Sequence, residues 1–190
     1  MPRSKEDFEK IRLATRKKIL AVALKQFAND GFAHTSIQSI ADKVGIAKSS
    51  VYHHFKSKDE ILITLLDDYY HNWSKEVDFT QEFEDPKKHL FDVIHKTVSY
   101  IKSNRDFFLM MDDLIRVVIK KPHIMESAQK MGIEKATIFA SVFEKLGVQN
   151  VENEMLLFNS SFSGATRAYL LMGNEYPFEK VVDLMLQRYK

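Results

Sequence analysis

Apolar residues recur along the chain at intervals of three and four, the spacing that gathers them on one side of an α-helix, and no stretch alternates apolar and polar in the two-residue rhythm of a half-buried strand. The pattern predicts helices near residues 6–29, 36–44, 47–54, 58–76, 87–103, 106–120, 123–145, 152–173 and 178–189, hence an all-α chain. Punctuation falls between these segments, at Asn29-Asp30-Gly31, Gly45, Asp85-Pro86, Asn104, Pro122, Gly147 to Asn150 and Gly173 to Pro177. In the first segment Ile19, Leu20, Ala23, Leu24 and Phe27 share a face. Thr35-Ser36-Ile37-Gln38 fits a capping box, with the Thr35 hydroxyl on the third N–H and Gln38 reaching back, and Ser57-Lys58-Asp59-Glu60 repeats that pattern ahead of Ile61, Leu62, Leu65, Leu66 and Tyr69.

Between these two starts lies the arrangement a helix-turn-helix needs, over roughly residues 36–55. Ala41 is small enough for two helices to touch, Gly45 tolerates positive φ in the turn, and Ile37, Ile40, Val44, Ile46 and Val51 can lock the crossing angle. With the lock facing inward, Lys48, Ser49, Ser50, Tyr52 and His53 are left on the outer and flanking surface of the second helix, as donors suited to phosphates and base edges. An ordinary αα-hairpin in a helical core shares the Ala-x3-Gly spacing. Charge polarity by itself fits a solvated basic face equally well; combined with an acid-free outward set and the capping boxes that start both neighbouring helices, it shifts the balance toward DNA binding. Residues 1–58 hold 12 Lys and Arg against 5 Asp and Glu, a net of +7, whereas residues 59–190 hold 16 against 21, a net of −5. No acid interrupts the outward set Lys48, Ser49, Ser50, Tyr52, His53, His54, Lys56 and Lys58, so the hairpin sits where a polyanion would be met.

The remaining composition bounds rather than directs. Hydrophobic residues make up 45% of 190 and aromatics 12%, enough for a sizeable core. Cysteine is absent, which excludes disulfides, thiolate metal sites and cysteine nucleophiles. Met1 to Lys18 is densely charged with no apolar stretch of a signal peptide, and no apolar run approaches the ~18–20 residues of a membrane span. A soluble cytoplasmic protein is expected.

The stretch from Ile19 to Leu62 resembles the DNA-binding domain of the TetR family of regulators. The residues carrying the likeness are Phe27, Gly31, Phe32, Thr35-Ser36-Ile37, Ile40-Ala41, Val44-Gly45-Ile46, Val51-Tyr52-His53-His54-Phe55 and Ser57 to Leu62. It implies a three-helix DNA-binding domain over residues 1–58, with a basic N-terminal extension, and a helical ligand-binding and dimerisation domain over 59–190. By the same resemblance Thr35 and Ser36 contact phosphates and Lys48, Ser49 and Ser50 face the groove. Tyr52, His53 and His54 touch backbone or a base, Lys58 pairs with a phosphate, and Phe55 is core. Ala47 departs from the family's usual Ser or Thr and leaves the recognition helix uncapped. The extension with Arg3, Lys5, Lys10 and Arg12 is either a minor-groove arm or a frayed basic terminus.

Other chemistry is thin. His123 and Glu126, three apart and with Asp112 or Asp113 near, could hold a metal, but such pairs are common by chance; His34, His71, His89 and His95 form no pattern. No phosphate-binding Gly-rich loop, nucleophile elbow or zinc-protease motif appears, so neither an enzyme nor a cofactor is expected. Seven of eight methionines lie between Met110 and Met185 among many phenylalanines. Such soft and flat side chains suit an adaptable cavity and equally a filled core. The family resemblance favours a pocket for an apolar or aromatic effector, with Trp73, Phe107, Met111, Met125, Phe139, Phe143 and Phe162 as candidate lining. Small residues from Asn159 to Thr166 permit close helix approach, and the last two helices, about 152–173 and 178–189, are where family members dimerise; Gly164 could instead accommodate a neighbour within the chain. A ligand-responsive repressor on a palindromic operator is expected. The alternatives are a DNA-binding regulator without inducer, acting through a protein partner or as an architectural factor, and a small all-α metal-binding protein or enzyme.

Overall fold

The computed structural model describes residues 5–77, 83–118, 136–137 and 139–189. They form α1 (Lys5–Asp30), α2 (Ile37–Val44), α3 (Lys48–Tyr52), α4 (Lys58–Val77), α5 (Pro86–Ser103), α6 (Arg105–Val118), α7 (139–145), α8 (Val151–Met172) and α9 (Phe178–Leu186), with 3-10 turns at Gly173–Glu175 and Gln187–Tyr189. Among the described residues there is no strand, as the periodicity requires. The last predicted helix ends three residues early because its final turn tightens into the 3-10 turn. Much of the segment predicted over 123–145, with Met125, His123 and Glu126, lies outside the described residues.

Two compact units are present. The first comprises the described residues up to Asp68 together with those from Asp106 to 118. Its core is Ile19, Ala23, Phe27, Ile40, Ala41, Val51, Phe55, Ile61 and Leu62, each almost or wholly removed from solvent. Truncating one of the larger of these to Ala costs about 2–5 kcal/mol. One helix end is specified locally and another from a distance: Gly31, at φ 82, terminates α1, and the Lys18 ammonium, 26 residues away in sequence, donates to Val44 O at 2.9 Å, satisfying a carbonyl at the negative end of α2. Compactness places the division after Asp68, ten residues past the change of charge at Lys58. The reason is that Ile61, Leu62, Leu65 and Leu66 on the first turns of α4 are buried, so they belong to this core and not to a linker.

The second unit holds Tyr69–Arg105 and the described residues from 136 onward. Asp85 caps α5 by accepting from the N–H groups of Lys87 and Lys88, both at 3.0 Å, with Pro86 pre-set for the first turn. One side of α5 then buries Leu90, Val93, Ile94, Thr97, Val98 and Ile101. Phe158, Ala165 and Tyr169 of α8 and Phe178, Val182 and Leu186 of α9 are buried at helical spacing, and the Tyr169 and Phe178 rings stack 5.1 Å apart. Exposed polar contacts, a His95 Nε2 to Asp183 carboxylate hydrogen bond at 2.8 Å and the Lys102–Glu179 ion pair, join α5 to α9. Each adds well under ~1 kcal/mol at such exposure.

Candidate nucleic-acid interface

The turn between α2 and α3 is fixed by backbone chemistry. Gly45 sits at φ 80 and ψ 38, a left-handed conformation open to glycine, and its N–H reaches Ala41 O at 2.9 Å while Ile46 N–H reaches the same carbonyl at 3.1 Å. Val51 of α3 is fully buried and Ile46 half-buried, so the short helix is held from behind by the two anchors the pattern named. Lys48, Ser49, Tyr52 and His53 are exposed, and Ser50 and His54 are half-buried. Residues 48 and 52, like 49 and 53, stand one turn apart, so the exposed set forms adjacent ridges along α3. Ala47 starts α3 with no side-chain hydrogen bond, the missing cap anticipated from its identity. Regular helix stops at Tyr52 rather than 54, because the N–H of His54 folds onto Val51 O at 2.9 Å, a tighter turn that presents the two histidines at its end.

Two expected contacts take a different form. The cap of α2 is Ser36, whose hydroxyl accepts from Ser39 N–H at 3.0 Å while the Ser39 hydroxyl accepts from Ser36 N–H at 3.1 Å. Thr35 is not the cap. It is buried, and its hydroxyl donates to Gly31 O at 2.9 Å, closing the end of α1; Gln38 donates to Asp42 Oδ1 at 2.8 Å. The extended backbone a cap requires falls at Ser36, at φ −120 and ψ 157, which decides between two adjacent hydroxyl residues. Thr35 therefore holds the loop, and Ser36 is the exposed hydroxyl at the start of α2.

Lys58 also turns inward. Its ammonium donates to Phe32 O at 2.5 Å and Thr35 O at 2.6 Å and lies 4.3 Å from the Phe32 ring centroid. These carbonyls belong to the loop between α1 and α2 and take two of the three ammonium N–H groups, so Lys58 pins that loop. The second capping box forms in a shifted version: Ser57 Oγ accepts from Glu60 N–H at 3.1 Å, but the Glu60 carboxylate accepts from Lys56 N–H at 2.6 Å, one residue before the cap.

A further source of positive charge lies on α1. The Arg16 guanidinium stacks 4.7 Å from the Phe55 ring centroid, and Arg12, one turn earlier, is bridged to Glu9 at 2.8 Å. Partial burial first, then the charges of Arg12, Arg16 and His53, hold the His54 imidazole below its ordinary pKa. Arg16 was missed in the sequence; its i, i+4 relation to Arg12 was the available signal. Arg3 lies outside the described residues, and from Lys5 onward the extension is helix rather than arm.

A separate cavity of about 360 Å³ lies within the second unit, lined by Trp73, Ile94, Thr97, Ala136, Phe139, Met155, Phe158, Asn159, Phe162 and Ser163. Trp73, Phe139 and Phe162 of the expected lining are there. Phe143 is not: it is fully buried against Phe158 and Tyr189. Phe107 and Met111 sit on α6 with the first unit, where Phe107 packs edge-on to Phe108 at 5.7 Å, and Met125 lies outside the described residues.

The profile of bacterial regulatory proteins of the tetR family matches residues 19–65, which cover the elements from α1 to the first turns of α4. A helix-turn-helix-type transcriptional regulator of Bacillus subtilis, YerO, is 30% identical over 99 residues, 50% of this chain and 34% of its own length. The transcriptional repressor KstR2 of Mycolicibacterium smegmatis is 41% identical over 54 residues, 28% of this chain and 26% of the relative. These matched segments thus span about a third or less of the curated relatives. The fold is similar over nearly the whole chain to the ketosteroid transcriptional regulator KstR2 of Mycobacterium tuberculosis, with a TM-score of 0.76 at 18% identity over 92% of each chain.

Proposed function

Through residues 19–65 the chain belongs to the TetR family of bacterial regulatory proteins, and we propose that it is a ligand-responsive transcriptional repressor that grips a palindromic operator as a homodimer. The observation that carries this reading is the exposed, acid-free surface of α3, with Lys48, Ser49, Tyr52 and His53 outward and Val51 locked behind them. Major-groove insertion brings Lys48, Ser49 and Ser50 to base edges and leaves Ser36, Tyr52, His53 and His54 to phosphates. Arg12 and Arg16 extend the same positive field along α1. The setting for such a protein is the cytoplasm, where the operator is; no described helix is long and apolar enough to cross a membrane.

The outer surface of the second unit supports a dimer. Leu157, Gly164 and Leu171 repeat every seven residues along α8; both leucines are more than half exposed, and Leu184 of α9 is exposed as well. A Cβ at Gly164 would meet nothing within 4 Å, so no described neighbour within the chain explains the glycine, whereas a second helix closing on that stripe does. Paired in this way, two recognition helices about 34–36 Å apart fit successive major grooves. An effector in the cavity favours protomer shapes with another spacing and so depopulates the DNA-bound state, and α4, which carries residues of both units, is the continuous link. The open cavity favours this over an inducer-free regulator. KstR2 relatives being named repressors supports the sign of regulation. The test is DNA binding by the Lys48→Ala variant: affinity for sequences the protein selects falls by about 1–3 kcal/mol, and unchanged affinity contradicts the assignment.

A further inference from the structure

The cavity has a direction. Its floor is Trp73, Ile94, Thr97 and Phe158, all buried, its walls are the half-buried Phe139, Met155 and Phe162, and its rim is the exposed Ala136, Asn159 and Ser163. Two polar side chains, Asn159 and Ser163, stand at the exposed rim. At the floor the Thr97 hydroxyl already donates to Val93 O at 2.8 Å, so its hydrogen is engaged within α5. At the rim the Asn159 amide and the Ser163 hydroxyl stand one turn apart on α8, able to donate and to accept.

Resting on the effector-responsive reading above, we infer that this cavity takes a compact, flat, uncharged ring system with one polar group, the rings on the aromatic floor and the polar group between Asn159 and Ser163. Three features select that class. The Phe158 and Phe162 rings are nearly parallel, 7° apart, and with Trp73 and Phe139 they give flat surfaces on which a planar body stacks. None of the described lining residues is charged, so a carboxylate or ammonium carried inside would be desolvated without a partner. A volume of about 360 Å³ is near the small end of the roughly 300–1,000 Å³ range of ligand sites, which fits two or three fused rings better than a long acyl chain.

The mouth also stays clear of the proposed dimer. At about 100° per residue, Asn159 and Ser163 lie roughly 120° around α8 from the Leu157–Gly164–Leu171 stripe, so one helix presents a ligand rim and a pairing surface on different sides. Inside the same helix, Thr166 Oγ is buried with no hydrogen-bond partner among the described residues, one turn beyond Ser163.

Trp73 is the chain's only tryptophan, so its emission reports the cavity floor directly. The experiment titrates the full chain with 2-naphthol, 2-naphthoate, naphthalene and 1-decanol, following heat and Trp73 emission. 2-Naphthol should bind saturably with a change in Trp73 emission, and 2-naphthoate and 1-decanol should bind about tenfold or more weakly, from the uncompensated charge and the lost stacking. Asn159→Leu should weaken 2-naphthol by about 2- to 10-fold while leaving naphthalene unaffected, a split that a merely structural change does not produce. No saturable binding of 2-naphthol by the folded protein overturns the inference. Equal binding of the charged or straight-chain probe does so too, as does an unchanged naphthol-to-naphthalene ratio in Asn159→Leu. Running the titration on DNA-bound protein separates the two layers: naphthol binding without DNA release contradicts the effector-responsive reading and leaves the ligand class standing.

Discussion

Replacing Lys58 with Met keeps the length of the side chain and removes its charge. Two hydrogen bonds to the Phe32 and Thr35 carbonyls, at 2.5 and 2.6 Å, are lost together with the contact to the Phe32 ring. Charged hydrogen bonds contribute about 1.5–3 kcal/mol each and an exposed cation–π contact about 0.5–1 kcal/mol. Lys58 is only half-buried, so water recovers part of that loss, and about 2–4 kcal/mol of destabilisation remains. For a chain of this size about 2–4 °C of melting temperature accompanies each kcal/mol, so a fall of roughly 5–15 °C is expected in a thermal melt followed by circular dichroism. The salt dependence of DNA affinity should keep its slope. A phosphate-bound Lys58 gives the opposite pair of results: its loss lowers the slope by about 0.9 per contact and leaves the melt alone. That outcome would refute the inward assignment.

Gly45→Ala places a side chain at φ 80 where no described residue lies within 4 Å, so the cost is conformational; about 1–2 kcal/mol should be lost in chemical denaturation, with DNA binding weakened in proportion to the folded fraction. Gly164→Trp should yield monomers by light scattering with unchanged helicity, because its Cβ meets nothing within 4 Å among the described residues; a dimer of unaltered mass would place the pairing surface elsewhere. The lowered pKa of His54 means that the unfolded chain takes up the proton first as pH falls. Stability contributed by this group is therefore intact above the ordinary histidine pKa of about 6.5 and declines as pH drops from there through the folded value. DNA phosphates favour the charged imidazole, so affinity should rise over the same interval, and His54→Gln should flatten both profiles; an unaltered profile would exclude His54 as the titrating group.

The helix-turn-helix was legible because two independent signals coincide on it: the buried Ile37, Ile40, Val44 and Val51 follow helical spacing, and Gly45 falls where the backbone turns left-handed. The cap slipped by one residue because Thr35 and Ser36 carry the same hydroxyl chemistry, and only backbone conformation assigns one to α2 and the other to the end of α1. The inward hydrogen bonds of Lys58 were illegible for a related reason, since a sequence shows a cation but not the carbonyls it meets 23 and 26 residues away. In the cavity, residue softness was a poor guide. Phe107 and Met111 share the composition of the lining but fall with the first unit, whereas Asn159 and Ser163, which give the cavity its polar end, carried no soft or aromatic signal.

Selection of duplexes from random DNA by the purified full chain tests the central claim most directly, that the outward donors of α3 enter a groove of B-form DNA twice per dimer. An inverted repeat with half-site centres about one helical turn apart should be enriched, and Lys48→Ala should abolish or shift that enrichment. A pool that remains random at low salt, or an enriched sequence indifferent to Lys48, Ser49 and Tyr52 substitutions, would contradict it.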